Sequence, residues 1–210
     1  MTPQDHYQLA RLKAGEVRSQ YNLTTARVMV SDLKKIYKAE GIDRVDYYDG
    51  FKSTRIRGAY FNDVAGCSVM INKKLIRVLD PKIFTLAHEL KHHLMDEVHA
   101  VSLCSNDNEH IVMEKAADAF ASELIYPTSM FIADMQARDI GKGMCSPEDI
   151  VRLKHETRTT LSHAGIALRA QRLGYGLPEA FGGIKWDTLR DELYPEYQFF
   201  RTRQKIATAN

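Results

Sequence analysis

Three features of the sequence predict a mixed α+β fold. Short β-rich runs between residues 42 and 72 are separated by turn residues. Helical apolar stripes flank them on both sides. Beyond Gly141 the chain breaks into short amphipathic pieces with helix-start residues. The expectation is a small antiparallel sheet packed on two longer helices, with a helical C-terminal part. The 210 residues suffice for one good-sized domain with an appendage.

The first helix is expected over residues 4–20, with Leu9, Leu12 and Val17 on its inner side and Gly15 as a weak point. A second should start at Thr24 or Thr25 and end at Gly41, its inner stripe being Val28, Leu33, Ile36 and Tyr37. Val45, Tyr47 and Tyr48 mark a short strand. Residues 56–61 and 67–72 read as two more, with Asn62-Asp63-Val64-Ala65-Gly66 as the turn. Next comes a helix with Asp80 as N-cap and Pro81 as first helical residue, whose broad apolar face is Ile83, Phe84, Leu86, Ala87, Leu90 and Leu94. A polar stretch, 96–108, leads to a helix over 114–126 that Pro127 stops. Thr128 should cap a helix running through Asp139, with Met130, Phe131, Ile132 and Met135 as core. Ser146-Pro147-Glu148-Asp149 is a helix start, a turn follows at 157–161, and a last helix runs from Ser162 to the Gly174 stop. Trp186, Tyr194, Tyr197, Phe199 and Phe200 argue for a tail that packs back, ahead of a frayed end over 201–210.

Composition excludes several classes. Charged residues make up 27% and apolar ones 44%, as in ordinary globular proteins, and a net charge of +2 exerts no global pull towards nucleic acid or anionic membrane. Residues 1–15 carry Asp5, His6, Arg11 and Lys13 without an apolar run, so no signal peptide is expected, and no segment approaches a membrane span. Cys67, Cys104 and Cys145 are odd in number and far apart, against a disulfide framework or a cysteine metal site. A cytoplasmic location is expected.

Chemistry concentrates in His88-Glu89-Leu90-Lys91-His92, an H-E-x-x-H pattern inside a helix. Residues four apart differ by about 40° around a helix, so His88 and His92 project together and can bind one Zn2+. Glu89 leaves the helix beside them, where its carboxylate can take a proton from an attacking water. A merely solvated pair of histidines would satisfy the same spacing, but the apolar face places this helix in a core, where unpartnered polar groups are costly. His93, about 100° round from His92, cannot share that face and is expected in a supporting or solvent role. His99 and His110, single histidines in polar surroundings, are weak ligand candidates.

A catalytic zinc site needs a third protein ligand. Glu114, Ala117, Asp118 and Ala121 lie along one face of the 114–126 helix, whose alanines permit close approach. Glu114 could bind the ion, and Asp118, one turn on, could accept a hydrogen bond from His88 or His92. Glu109 and Glu123 are weaker rivals for the third position.

The runs Phe84-Thr85-Leu86-Ala87-His88-Glu89-Leu90-x-His92 and Glu114-x-x-Ala117-Asp118-x-Phe120-Ala121-x-x-Leu124-Ile125-x-Pro127 resemble the ImmA/IrrE family of metallopeptidases, from about the second helix to Pro127. The resemblance implies a gluzincin-like site with His88, His92 and Glu114 as ligands and Glu89 as general base. It also implies a substrate, since many family members cleave a helix-turn-helix repressor and release stress-response or mobile-element genes. Lys91 stands where the family commonly has glycine, Asp118 where asparagine is common, and Tyr126 where an apolar residue is common; none of the three removes a ligand.

The division that follows is a zinc metallopeptidase domain over 1–140, helix-turn-helix-like accessory helices over 141–176, and an aromatic-containing C-terminal tail over 177–210. The reading is a zinc-dependent endopeptidase acting on a helix-turn-helix repressor, with Mn2+ or another divalent ion as an alternative metal. Tyr60, Tyr126, His155 and His163 are the candidates for stabilising the oxyanion. The rival is a non-catalytic DNA- or repressor-binding regulator with a structural metal site. Arg158, Arg169 and Arg172 supply charge for direct DNA binding, but a complete reading unit has a denser basic face. No membrane partner is expected.

Overall fold

The computed structural model describes residues 2–51, 56–64, 66–96 and 107–197, without the side chains of 107–109. The α+β class is as expected. Helix α1 (Pro3–Gln20) starts at Thr2, whose hydroxyl accepts from the Asp5 N–H while the Asp5 carboxylate accepts from the Thr2 N–H. That reciprocal box satisfies donors the helix itself leaves orphaned. The buried face of α1 is Ala10, Ala14 and Val17, whereas Leu9 and Leu12 remain 44% and 55% exposed, against the expected stripe. The reason is the neighbour. Helix α1 packs along α4 (Asp107–Ile125), and the small side chains of Ala10 and Ala14 permit a closer approach than leucines would allow. The buried guanidinium of Arg18 donates to the Leu124 carbonyl at 2.6 Å, closing the C-terminus of α4, and to the carbonyls of Leu23 and Thr25.

Helix α2 (Val30–Ala39) starts later than expected. Asp32 accepts the Met29 N–H at 2.8 Å and sets the start, while the Thr25 hydroxyl accepts from Arg27 in a local turn that competes with helix. Leu33, Ile36 and Tyr37 are buried as anticipated. Gly41, at φ +82°, adopts the left-handed conformation that turns the chain into β1 (Ile42–Tyr48).

Strands β2 (Gly58–Asp63) and β3 (Gly66–Asn72) form the antiparallel hairpin that the turn residues predict. The sheet is nevertheless mixed, not wholly antiparallel: its order is β1-β3-β2, and β1 pairs with β3 in parallel. Val69 and Ile71 of β3 are fully buried, so the most apolar strand takes the centre. The hairpin occupies one side of β3, and the charged β1 takes the other edge.

Helix α3 (Leu79–Met95) follows, capped by Val78 two positions before the expected Asp80, with Asp80 and Pro81 inside the first turn where a missing N–H costs nothing. Ile83, Leu86, Ala87 and Leu90 are buried, and the Tyr37 hydroxyl donates to the Leu86 carbonyl at 2.5 Å, tying α2 to α3. The polar stretch after Asp96, with His99 and Cys104, lies outside the described residues. Helix α5 (Thr128–Gln136) ends short of Asp139, which has φ +54°. Glu123 accepts both the N–H and the hydroxyl of Thr128 at its start.

The chain forms two compact units, Met1–Phe131 with Thr159–Leu161, and Ile132–Arg158 with Ser162–Asn210. The second contains α6 (Pro147–Thr157), α7 (His163–Arg172), a 3-10 turn at Pro178–Phe181 and α8 (Trp186–Leu193). Ser146 and Asp149 form a capping box at the predicted start of α6, and Ser162 caps α7 through the Gly165 N–H. His155 stacks on Tyr194 with centroids 3.8 Å apart, and His163 lies parallel to Trp186 at 5.8 Å. Arg158 and Arg172 are exposed, but Arg169 is buried, so the basic face expected of α6 and α7 is thinner than the sequence implies. Phe199, Phe200 and residues 201–210 lie outside the described residues.

Candidate metal and catalytic site

Helix α3 supplies His88, Glu89 and His92, and α4 packs against it with Glu114 and Asp118 on the facing side. The imidazoles of His88 and His92 lie with centroids 5.0 Å apart, one turn above the other. His88 Nε2 is 3.3 Å from Glu114 Oε2, and His92 Nε2 is 3.5 Å from Glu114 Oε1. One donor atom from each of the three residues falls within 4.8 Å of the others. Zinc bonds of about 2.0–2.2 Å at tetrahedral angles separate ligand atoms by about 3.4 Å. The two separations fit such an edge better than a charge-assisted hydrogen bond, which is about 2.7–2.9 Å. The donor set therefore fits a divalent cation. Glu114 is 45% exposed, so the group opens to solvent on its side.

The other nitrogen of each histidine is held. His88 Nδ1 lies 3.0 Å from Asp118 Oδ1, and His92 Nδ1 lies 2.5 Å from Asp96 Oδ2. With Nδ1 donating to a carboxylate, Nε2 keeps its lone pair for a metal. Asp118 is where the sequence suggests an acceptor. Asp96 was missed, although its signal was present: it stands four residues after His92, at the end of the same helix. Asp96 also accepts from Lys91 at 2.6 Å.

Burial would lower the proton affinity of His88, but its contacts with the carboxylates of Asp118 and Glu114 outweigh it and bring the pKa up to about 10. The same contact with His88 holds Glu114 down at about 2, against its partial burial. Glu89 is 5% exposed, and burial, opposed by the nearby histidines, raises its carboxyl above the usual range. Its carboxylate accepts a hydrogen bond from the Tyr60 backbone on β2. Among the described residues, strand β2 pairs only with β3 and so presents an outer edge, and that edge faces Glu89. Gly58 makes the approach possible, since a Cβ there would stand 2.7 Å from Glu89 Oε1 and 2.6 Å from Thr85 Cγ2.

His93 points elsewhere. Its Nε2 donates to the Glu40 carbonyl and its Nδ1 accepts from the Tyr60 hydroxyl, each at 2.8 Å. Tyr60 is thus tied to His93. Tyr126 is fully buried edge-on against Phe131, an aromatic core residue. His155 and His163 belong to the second unit. Glu123 is engaged with Thr128, His110 is exposed and outside the donor group, and the Glu109 side chain lies outside the described residues.

A family model, the IrrE N-terminal-like domain of Peptidase_M78, matches residues 47–161, more than half of the chain. The chain belongs to this family. The Peptidase_M78 match begins in β1, takes in both α3 and α4 and extends past Pro127 into the turn after α6. Membership makes the chain a peptidase with a protein substrate, and the His88, His92 and Glu114 donor group fits the divalent metal of such a family. No curated protein matches the chain. Among the described residues, no helix of this Peptidase_M78 protein is long and apolar enough to cross a membrane.

Proposed function

We propose that the protein is a zinc-dependent endopeptidase of the cytoplasm. It would cleave a helix-turn-helix transcriptional repressor and so derepress stress-response or mobile-element genes. His88, His92 and Glu114 hold the ion, Glu89 is the general base, and Asp118 orients His88. The observation that carries this reading is that one donor atom from each of His88, His92 and Glu114 comes within 4.8 Å of the others, beside a buried carboxylate. Two imidazoles and one carboxylate suit Zn2+, with Mn2+ less favoured by the nitrogens. The solvent-facing side of Glu114 supports a catalytic site with an open position over a closed structural one. The repressor assignment rests on the family resemblance.

A bound divalent ion would supply Lewis acidity, making water acidic enough to ionise near neutrality and polarising the scissile carbonyl. Glu89, beside the two histidines, takes the proton from the attacking water and returns it to the leaving amine. Asp118 and Asp96 keep each imidazole in the tautomer that offers Nε2. An extended substrate would add to the outer edge of β2, next to Glu89.

Glu89→Gln tests the reading. With Zn2+ loaded, the variant should keep its metal while cleavage of purified helix-turn-helix repressors falls by about 10²–10⁴-fold. Cleavage at the wild-type rate would remove the hydrolytic role from Glu89. A wild-type enzyme that cuts unfolded peptides but no such repressor would retain the peptidase and refute its proposed target.

A further inference from the structure

Lys91 is 2% exposed, in the middle of the site helix, and a buried ammonium is strongly unfavourable unless it is paired. Its Nζ lies 2.6 Å from Asp96 Oδ1 and 3.4 Å from the Met113 carbonyl. The other oxygen of Asp96 holds His92 Nδ1 at 2.5 Å, and the Asp96 N–H closes α3 on the His92 carbonyl at 3.2 Å. Met113 immediately precedes Glu114 in α4. One ammonium therefore grips the carboxylate that orients the second histidine and the helical turn that carries the third donor. Asp96 also needs a cation where it stands. An acid at a helix C-terminus opposes the negative end of the helix dipole, and without a partner its carboxylate gains by turning to water.

We propose that Lys91 is a positioning residue of the metal site, acting through Asp96 to fix the ring of His92. This rests on the metal-site reading above. It assigns to a buried cation the part that a neutral second partner of a ligand more often plays. Lys91 touches neither substrate nor ion.

The test is a double-mutant cycle on Zn2+ affinity, read by competition with a chromophoric chelator on the full chain, with the thermal midpoint of the metal-free protein measured alongside. Lys91→Met should weaken Zn2+ binding about 10-fold, the lower end for loss of a ligand's supporting partner. In an Asp96→Ala background the same substitution should change affinity by less than about 2-fold, because the route through Asp96 is already gone. Lys91→Arg, which keeps the cation, should stay within about 3-fold of wild type. If Lys91→Met does not fold, Lys91→Gln carries the cycle. Equal weakening in both backgrounds, or no weakening in the first, overturns the role of Lys91 and leaves the metal site standing. A wild-type chain that takes up no Zn2+ overturns the metal-site reading and this inference with it.

Discussion

Gly58→Ala should separate the fit of the general base from the integrity of the fold. The added methyl would sit 2.6 Å from Thr85 Cγ2, 2.7 Å from Glu89 Oε1 and 3.2 Å from Glu89 Cδ. Comfortable carbon contacts are about 3.5–4.0 Å, so about 1 Å of overlap must be relieved. Thr85 is buried and β-branched, with little freedom about its first torsion in a helix, and it cannot yield cheaply. Either β2 lifts from α3 or the Glu89 carboxylate swings away, and both break the hydrogen bond from Tyr60. Overpacking of this kind costs about 1–3 kcal/mol, partly offset by about 0.5–1 kcal/mol because alanine suits a strand better than glycine. A 1 Å displacement of a reacting group costs about 10²-fold in rate. The expected outcome is a folded protein with a modestly lower unfolding midpoint. Its Zn2+ affinity should stay within about 3-fold, since no donor residue is touched, and its turnover of a quenched fluorogenic peptide pool should fall about 100-fold. Wild-type turnover would refute the claim that Gly58 sets the position of Glu89, and loss of metal would show that β2 supports the donors as well.

Elemental analysis should find about one equivalent of zinc in the wild type and almost none in His88→Ala or Glu114→Ala; metal retained in Glu114→Ala would mean that another group completes the site. Asp118→Ala should weaken Zn2+ binding about 10–100-fold and leave thermal stability nearly unchanged, because the carboxylate is 56% exposed; an unaltered affinity would make its contact with His88 incidental. Burial, helped by Lys154 and Arg190, holds His163 down at about 4 from 6.5. The unfolded chain therefore binds the extra proton first, and stability present above 6.5 is lost as pH falls through the folded value of about 4, by about 1–3 kcal/mol in all. His163→Phe, which keeps a ring against Trp186, should flatten that limb of a denaturant-midpoint profile, and an unchanged limb would place the proton uptake elsewhere.

The legible parts of this protein are those governed by local spacing. A period of 3.6 residues puts His88 and His92 on one face with Glu89 beside them, and it aligns Glu114 with Asp118 one turn apart. Turn residues specify the β2–β3 hairpin, and the Ser146-Pro147 start specifies α6. Structure departs from local pattern where two local signals compete or where the partner surface decides. Thr25 is as good a cap on paper as Asp32 is in fact, because both can satisfy a backbone N–H within three residues. Leu9 and Leu12 form a plausible stripe until α1 packs on α4 with Ala10, Ala14 and Val17 buried instead.

By itself, then, the sequence determined the class of chemistry, since donors one helical turn apart are set by covalent spacing and the helix pitch alone. Tertiary structure decided what no spacing contains. It set Glu114 against the two histidines while Glu123 turned to Thr128, brought Asp96 and the buried Lys91 behind His92, laid the outer edge of β2 on Glu89 at Gly58, and ran β1 parallel to β3. Except for the four-residue step from His92 to Asp96, these contacts join residues whose separation along the chain carries no periodic signal, and packing of the apolar faces selects which of them meet.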